Sequence, residues 1–187
     1  MTTQVLERAF ASTRSVLADV RPDQLDLPTP CESWDVRALV NHIVGGPFYF
    51  AASVNAGQHP DRAATDYTTG DMVASYDEGS ALAVSAFSAP GALDRMITLP
   101  FGTLPATVFI NIAATDAFGH GWDLARATGQ SCDLDAGLAT QLLEQARALL
   151  PETFRGPDGQ APFGPVAAAP ADASPADALA AFLGRAV

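Results

Sequence analysis

Residues 105–129 read PATVFINIAATDAFGHGWDLARATG, and this stretch bears on both the fold class and the chemistry. Pro105 suits the first turn of a helix and Gly129 its C-terminal stop, so the spacing predicts one helix from 105 to about 128. At roughly 100° per residue, Phe109, Ile112 and Ala113 form an apolar stripe, and Asp116, His120 and Asp123 fall on the middle of it. A carboxylate and an imidazole therefore point where a core should be. A buried unpaired carboxylate costs several kcal/mol or more, so Asp116 needs a strong partner: a metal ion, an Arg or a hydrogen-bonded His. The D-x-x-x-H spacing puts both side chains on one helix face, close enough to share one ion. A closed polar network, in which Asp116 accepts from His120 or pairs with an Arg, satisfies the same pattern.

Working outward, residues 33–44 read SWDVRALVNHIV, where Val36, Leu39, Val40, Ile43 and Val44 follow the i, i+3, i+4, i+7, i+8 template. A helix is expected from Trp34, with Ser33 as N-cap and Asp35 in its first turn. Gly45-Gly46-Pro47 is expected to kink or end it, with Phe48 to Val54 resuming. A first helix is expected over 4–20 and a third over 71–88, closed by Pro90-Gly91. Residues 94–104 alternate weakly around Phe101-Gly102 and predict a short extended ribbon. A fifth helix, capped by Asp133 or Asp135, runs to Leu150; 155–170 is irregular; a last short helix spans 175–184. Helices of pairing length with almost no strand signal predict an all-α bundle of about four main helices in one domain over 1–187, a mixed α/β fold being the alternative.

The chain has 48% hydrophobic and 17% charged residues, a globular profile. Its net charge of −11 would repel a phosphate backbone, so nucleic acid is not an expected partner. Cys31 and Cys132 stand far apart with no CxxC, which points to a reducing compartment; with no export signal at the N-terminus, the expected location is cytoplasmic. The uncharged stretches 38–60 and 96–115 are broken by Pro and Gly, so no membrane span is expected.

Of the three histidines, His59 lies in a loop beside Pro60 and is read as solvated. His42 lies about 60° beyond Leu39, on the flank of its helix's apolar stripe, which suits a cleft between helices or an ordinary surface position. His42, Asp116 and His120 together make two imidazoles and a carboxylate, the ligand set of a catalytic zinc site or of an open iron, nickel or manganese site. Asp123, one turn after His120, is either a group behind that ligand or a solvated acid at the helix end. Cys31, near the start of the second helix, is read as a small hydrophobe with a reactive thiol as the alternative, and Trp34 and Trp122 as core or pocket wall. Asp133-Leu-Asp135 lacks the Gly and Glu of a calcium loop, and neither GxxxxGK[ST] nor GxSxG occurs.

The segments TPCESWDVRALVNHIVGG, PFGTLPA, HGWDLARATG and the closing FG…DALAAFLGR carry a resemblance. From Thr29 to Arg185 the chain resembles the metal-binding, DinB-like domain related to mycothiol-dependent maleylpyruvate isomerases. Trp34, His42, Asp116, His120, Trp122, Asp123 and Gly129 are the specific matches. The resemblance implies a DinB-like four-helix bundle with short extra helices, and a divalent metal held by His42, Asp116 and His120. Zinc is the first choice and nickel, iron or manganese the alternatives. In the isomerase the acid is Glu, where this chain has the shorter Asp116. The isomerase also has an additional C-terminal domain contributing to catalysis, whereas this chain stops soon after the bundle, so its substrate does not carry over. The expected partners are a small thiol of the mycothiol type and an electrophilic substrate, with a homodimer left open. A cation with an open coordination position favours the thiolate form, which attacks the electrophile in transfer or isomerisation; a hydrolytic water would use the same position. Catalytic residues are not assigned. The rival readings are a non-catalytic metal-binding bundle with a structural, sensing or dimerisation role, and a purely structural domain with a polar core.

Overall fold

A computed structural model describes residues 3–62, 64–100, 102–157 and 160–187. Six α-helices follow one another: α1 Gln4–Ala18, α2 Val36–Ala56, α3 Met72–Ser88, α4 Ala106–Thr128, α5 Ala136–Leu149 and α6 Pro175–Phe182. Helices α1 to α4 form a ring in which α2 packs on α3 and α4, and α1 packs on α4 and α3. Helices α5 and α6 pair with each other and lie against α4. The buried residues of all six helices form one apolar cluster, with Phe50, Phe87 and Phe109 meeting ring to ring at 5.7 and 5.8 Å. The chain is an all-α bundle of the DinB-like kind.

Short polar side chains start most of these helices by taking the first orphan N–H groups. Asp71 accepts from the Ala74 N–H, Asp135 from Leu138 and Ser174 from Asp177. The start of α2 differs from expectation. The Trp34 N–H closes a turn on the Cys31 carbonyl, and Asp35, not Ser33, caps the helix by accepting from Ala38 at 2.8 Å. The Gly45-Gly46-Pro47 step also differs, because α2 continues through it without ending. Residues on both sides of the step, Ile43 and Val44 before it and Phe50 and Ala51 after, are buried, so tertiary packing holds the helix across the lost Pro47 donor. Gly45 has a specific reason: a Cβ there would lie 2.5 Å from the Arg62 carbonyl oxygen, so only glycine lets the following loop settle on the helix.

The short ribbon exists as two antiparallel strands, β1 Met96–Leu99 and β2 Gly102–Pro105, with Met96 opposite Pro105. Phe101, which marked it in the sequence, lies outside the described residues. Strand β2 runs straight into α4, and Gly129 ends that helix with φ at 71°. Among the described residues no helix is long and apolar enough to cross a membrane.

Candidate metal centre

The two longest helices bring the predicted ligands together. His42 comes from the second turn of α2, and Asp116 and His120 from the middle of α4. His42 Nε2 lies 3.4 Å from Asp116 Oδ1, and His120 Nε2 lies 3.9 Å from the same oxygen. One donor atom from each of the three falls within 4.8 Å of the others. Ligand atoms about 2.1 Å from a zinc ion stand roughly 3.4 Å apart in a tetrahedral site, so this donor set and spacing fit a divalent cation with little adjustment. The imidazoles meet edge to face at 4.6 Å, and the Trp34 ring covers both, 4.6 Å from His42 and 5.6 Å from His120.

A residue that sequence reasoning missed completes the centre. Arg62, from the loop between α2 and α3, donates through Nη1 to His42 Nε2 at 2.8 Å and to the Asp116 oxygens at 3.2 and 3.0 Å. Its guanidinium packs over the rings of Tyr49 and Phe50, 4.6 and 4.7 Å from their centroids. A guanidinium has no acceptor, so His42 Nε2 must carry a lone pair and its proton must be on Nδ1. Burial pushes the His42 imidazole down to about 4, against the opposing pull of Asp116, which keeps it in the neutral form a metal requires. Burial by itself would raise the Asp116 carboxyl, but the Arg62 guanidinium, the largest opposing effect, holds it well below the usual carboxylate range. Of the partners foreseen for Asp116, Arg pairing is realised; the His120 contact is too long for a hydrogen bond.

Behind the centre stands a second cluster. Asp123 is fully buried, with Oδ2 accepting from His120 Nδ1 at 3.0 Å, so it is not a solvated acid at the helix end. A neutral His120 so engaged presents its lone pair on Nε2, toward the Asp116 side. Arg185 grips the same carboxylate in a fork, Nε to Oδ1 at 3.1 Å and Nη2 to Oδ2 at 2.8 Å. Arg185 reaches it because Gly184, with φ at 99°, turns the chain after α6 where it crosses Gly164. Burial would raise the Asp123 carboxyl, and Arg185 and His120 overcome it, so it stays ionised. Cys31 is not the apolar filler expected, because Sγ lies 3.4 Å from Asp123 Oδ2 and 3.7 Å from Arg185 Nη2. Cys31, His120 and Asp123 also cluster within 4.8 Å, but Arg185 already engages both Asp123 oxygens, which leaves this group poorly suited to a cation.

The remaining candidates separate cleanly. His59 is away from the centre and half-buried, bonded to Ser53 Oγ at 3.1 Å and packed on Tyr49, not simply solvated. Trp34 lines the site, whereas Trp122 is core and donates through Nε1 to Asp177 at 2.9 Å, tying α4 to α6. Arg185 stood inside the closing motif of the sequence, and its role follows only from the fold. Arg62 lies in a loop without periodicity, and its one signal was the unmet need of Asp116 for a cation.

No solved structure matches the chain. Two proteins of Mycobacterium tuberculosis, from strains CDC 1551 / Oshkosh and ATCC 25618 / H37Rv and both named as uncharacterized, are 42% identical to it over 185 residues. Each alignment covers 97% of this chain and 96% of the relative. The family described as mycothiol maleylpyruvate isomerase N-terminal domain matches residues 6–125, across all four ring helices and both clusters' histidines and aspartates. On that match, and on relatives of nearly equal length, the chain belongs to the mycothiol maleylpyruvate isomerase N-terminal domain family.

Proposed function

We propose that the protein binds one divalent metal ion through His42, Asp116 and His120 and works as a metal-dependent enzyme on a small, mycothiol-like thiol and an electrophile, in transfer or isomerisation. Zinc is the preferred ion, with nickel, iron or manganese as alternatives, and a cytoplasmic setting suits the two unbridged cysteines. The observation that carries this reading is the convergence of three donor atoms within 4.8 Å, on side chains that are only partly covered. When bound, the ion supplies the positive charge that favours the thiolate form of a small thiol. The chain's own residues fix the geometry. His42 is neutral with its lone pair on Nε2; Asp123 and Arg185 hold the His120 ring; Trp34 shields both imidazoles from water on one side.

A second reading, a polar network with no metal, has one observation in its favour: Arg62 already neutralises Asp116. Elemental analysis of protein purified without tag or chelator separates the two. The enzyme reading expects about one equivalent of metal, its loss in both Asp116→Ala and His120→Ala, and binding of a small thiol only to the loaded protein. Full metal occupancy in either variant would refute the ligand assignment. Absence of metal after reconstitution would leave the polar network.

A further inference from the structure

The most informative atom in the centre is Arg62 Nη1. It lies 2.8 Å from His42 Nε2 and 3.0 and 3.2 Å from the two Asp116 oxygens. A metal ion bound through His42 Nε2 would have to use the one lone pair that Arg62 Nη1 now occupies, so the guanidinium and the ion exclude each other there. Both are cations, and each satisfies the one carboxylate that the fold places here. We infer that Arg62 is a tethered cation that fills the centre in the metal-free protein and must be exchanged for the ion, so that metal affinity is set by a competition within the chain. This inference rests on the metal-binding reading above.

Three features suit Arg62 to exchange. It sits on a loop and not on a helix, so withdrawing it leaves the ring of α1 to α4 intact. Its side chain is 18% exposed and that of Asp116 24%, so water reaches the pair and can solvate the guanidinium as it leaves. The loop is seated by a specific contact, the Arg62 carbonyl against Gly45, where a Cβ would come within 2.5 Å. The loop position is therefore adjustable from a residue whose added methyl would meet the Arg62 backbone first.

The test titrates zinc into the chelator-stripped full chain, with dissociation constants from competition against a chromophoric chelator and melting temperatures recorded with and without zinc. Arg62→Ala should bind zinc about ten- to a hundredfold tighter, the scale of a charge-assisted hydrogen bond given up in exchange. It should also melt at a lower temperature than the wild type when metal-free, and at an equal one when loaded. Gly45→Ala, which crowds the Arg62 backbone and changes the identity of no side chain in the centre, should shift affinity in the same direction. Zinc binding by Arg62→Ala alone, with none by the wild type, would support the competition in its strongest form. Equal affinities in the wild type and Arg62→Ala would overturn the inference and leave the metal reading standing, and weaker binding in Arg62→Ala would overturn it too, since Arg62 would then assist the ion. No zinc uptake by any variant would overturn both.

Discussion

Asp116 and Asp123 stand two turns apart on α4, each beside a histidine and an arginine, yet the two clusters are built for opposite ends. Asp123 is fully buried, Arg185 beside it is 11% exposed, and every oxygen is engaged by a fork, an imidazole or a thiol. Asp116 is 24% exposed, and its arginine reaches it from a loop with one nitrogen. The comparison teaches that the same three residue types make a closed orienting pair when both charges are dry, and an exchangeable site when both remain near water. The closed pair fixes the His120 ring; the open one offers its donor atoms.

The largest effect expected from breaking this contrast is on Asp123. Asp123→Asn leaves the Arg185 charge without its counterion in a dry setting and should lower stability by about 3–5 kcal/mol, read from urea denaturation. A cost near that of a surface substitution would mean that the fork does not hold the fold. Next comes pH. In the metal-free protein His42 is held at about 4, below its ordinary value near 6.5, so between those values the unfolded chain binds a proton that the folded chain does not. Stability should therefore fall as pH drops through that window, by up to about 1.4 kcal/mol per pH unit. The two aspartates, held below the usual carboxylate range, add further loss only below about pH 4. His42→Gln should flatten the upper window and spare the lower one; an unchanged upper slope would assign it to another group. The smallest effect belongs to Asp116→Asn, where Arg62 can turn to water and the cost should be about 1 kcal/mol. If it matched Asp123→Asn, the open and closed clusters would not differ in kind.

The bundle was legible because α2 and α4 carry long apolar periods and because Gly129 and Asp135 are strong end signals. Asp116 and His120 stood out for a related reason: polar residues on an apolar stripe have few physical explanations, whereas His42 lay only on the flank of one. The convergence of the three was not legible, since periodicity says nothing of which helix faces which. A kink or an end was expected at Gly45-Gly46-Pro47, and the helix does not end there, because the local cost of the step is visible in the sequence while the loop that needs Gly45 is not. Arg62 and Arg185 were invisible for the same reason, as both act from irregular chain whose path depends on tertiary contacts. The role of Asp123 stayed open because its decisive partner lies 62 residues away.

That distance has a consequence for the order in which the molecule assembles. Helices α1 to α4 can close their ring once residue 128 has left the ribosome, but the arginine that neutralises Asp123 is made 57 residues after that, by subtraction of the two positions. Until Arg185 docks, Asp123 lacks the guanidinium fork that neutralises it beside His120. Contacts of large sequence separation pay their loop-closure entropy first, so the orientation of His120 is expected to be set only when the segment carrying Arg185 docks.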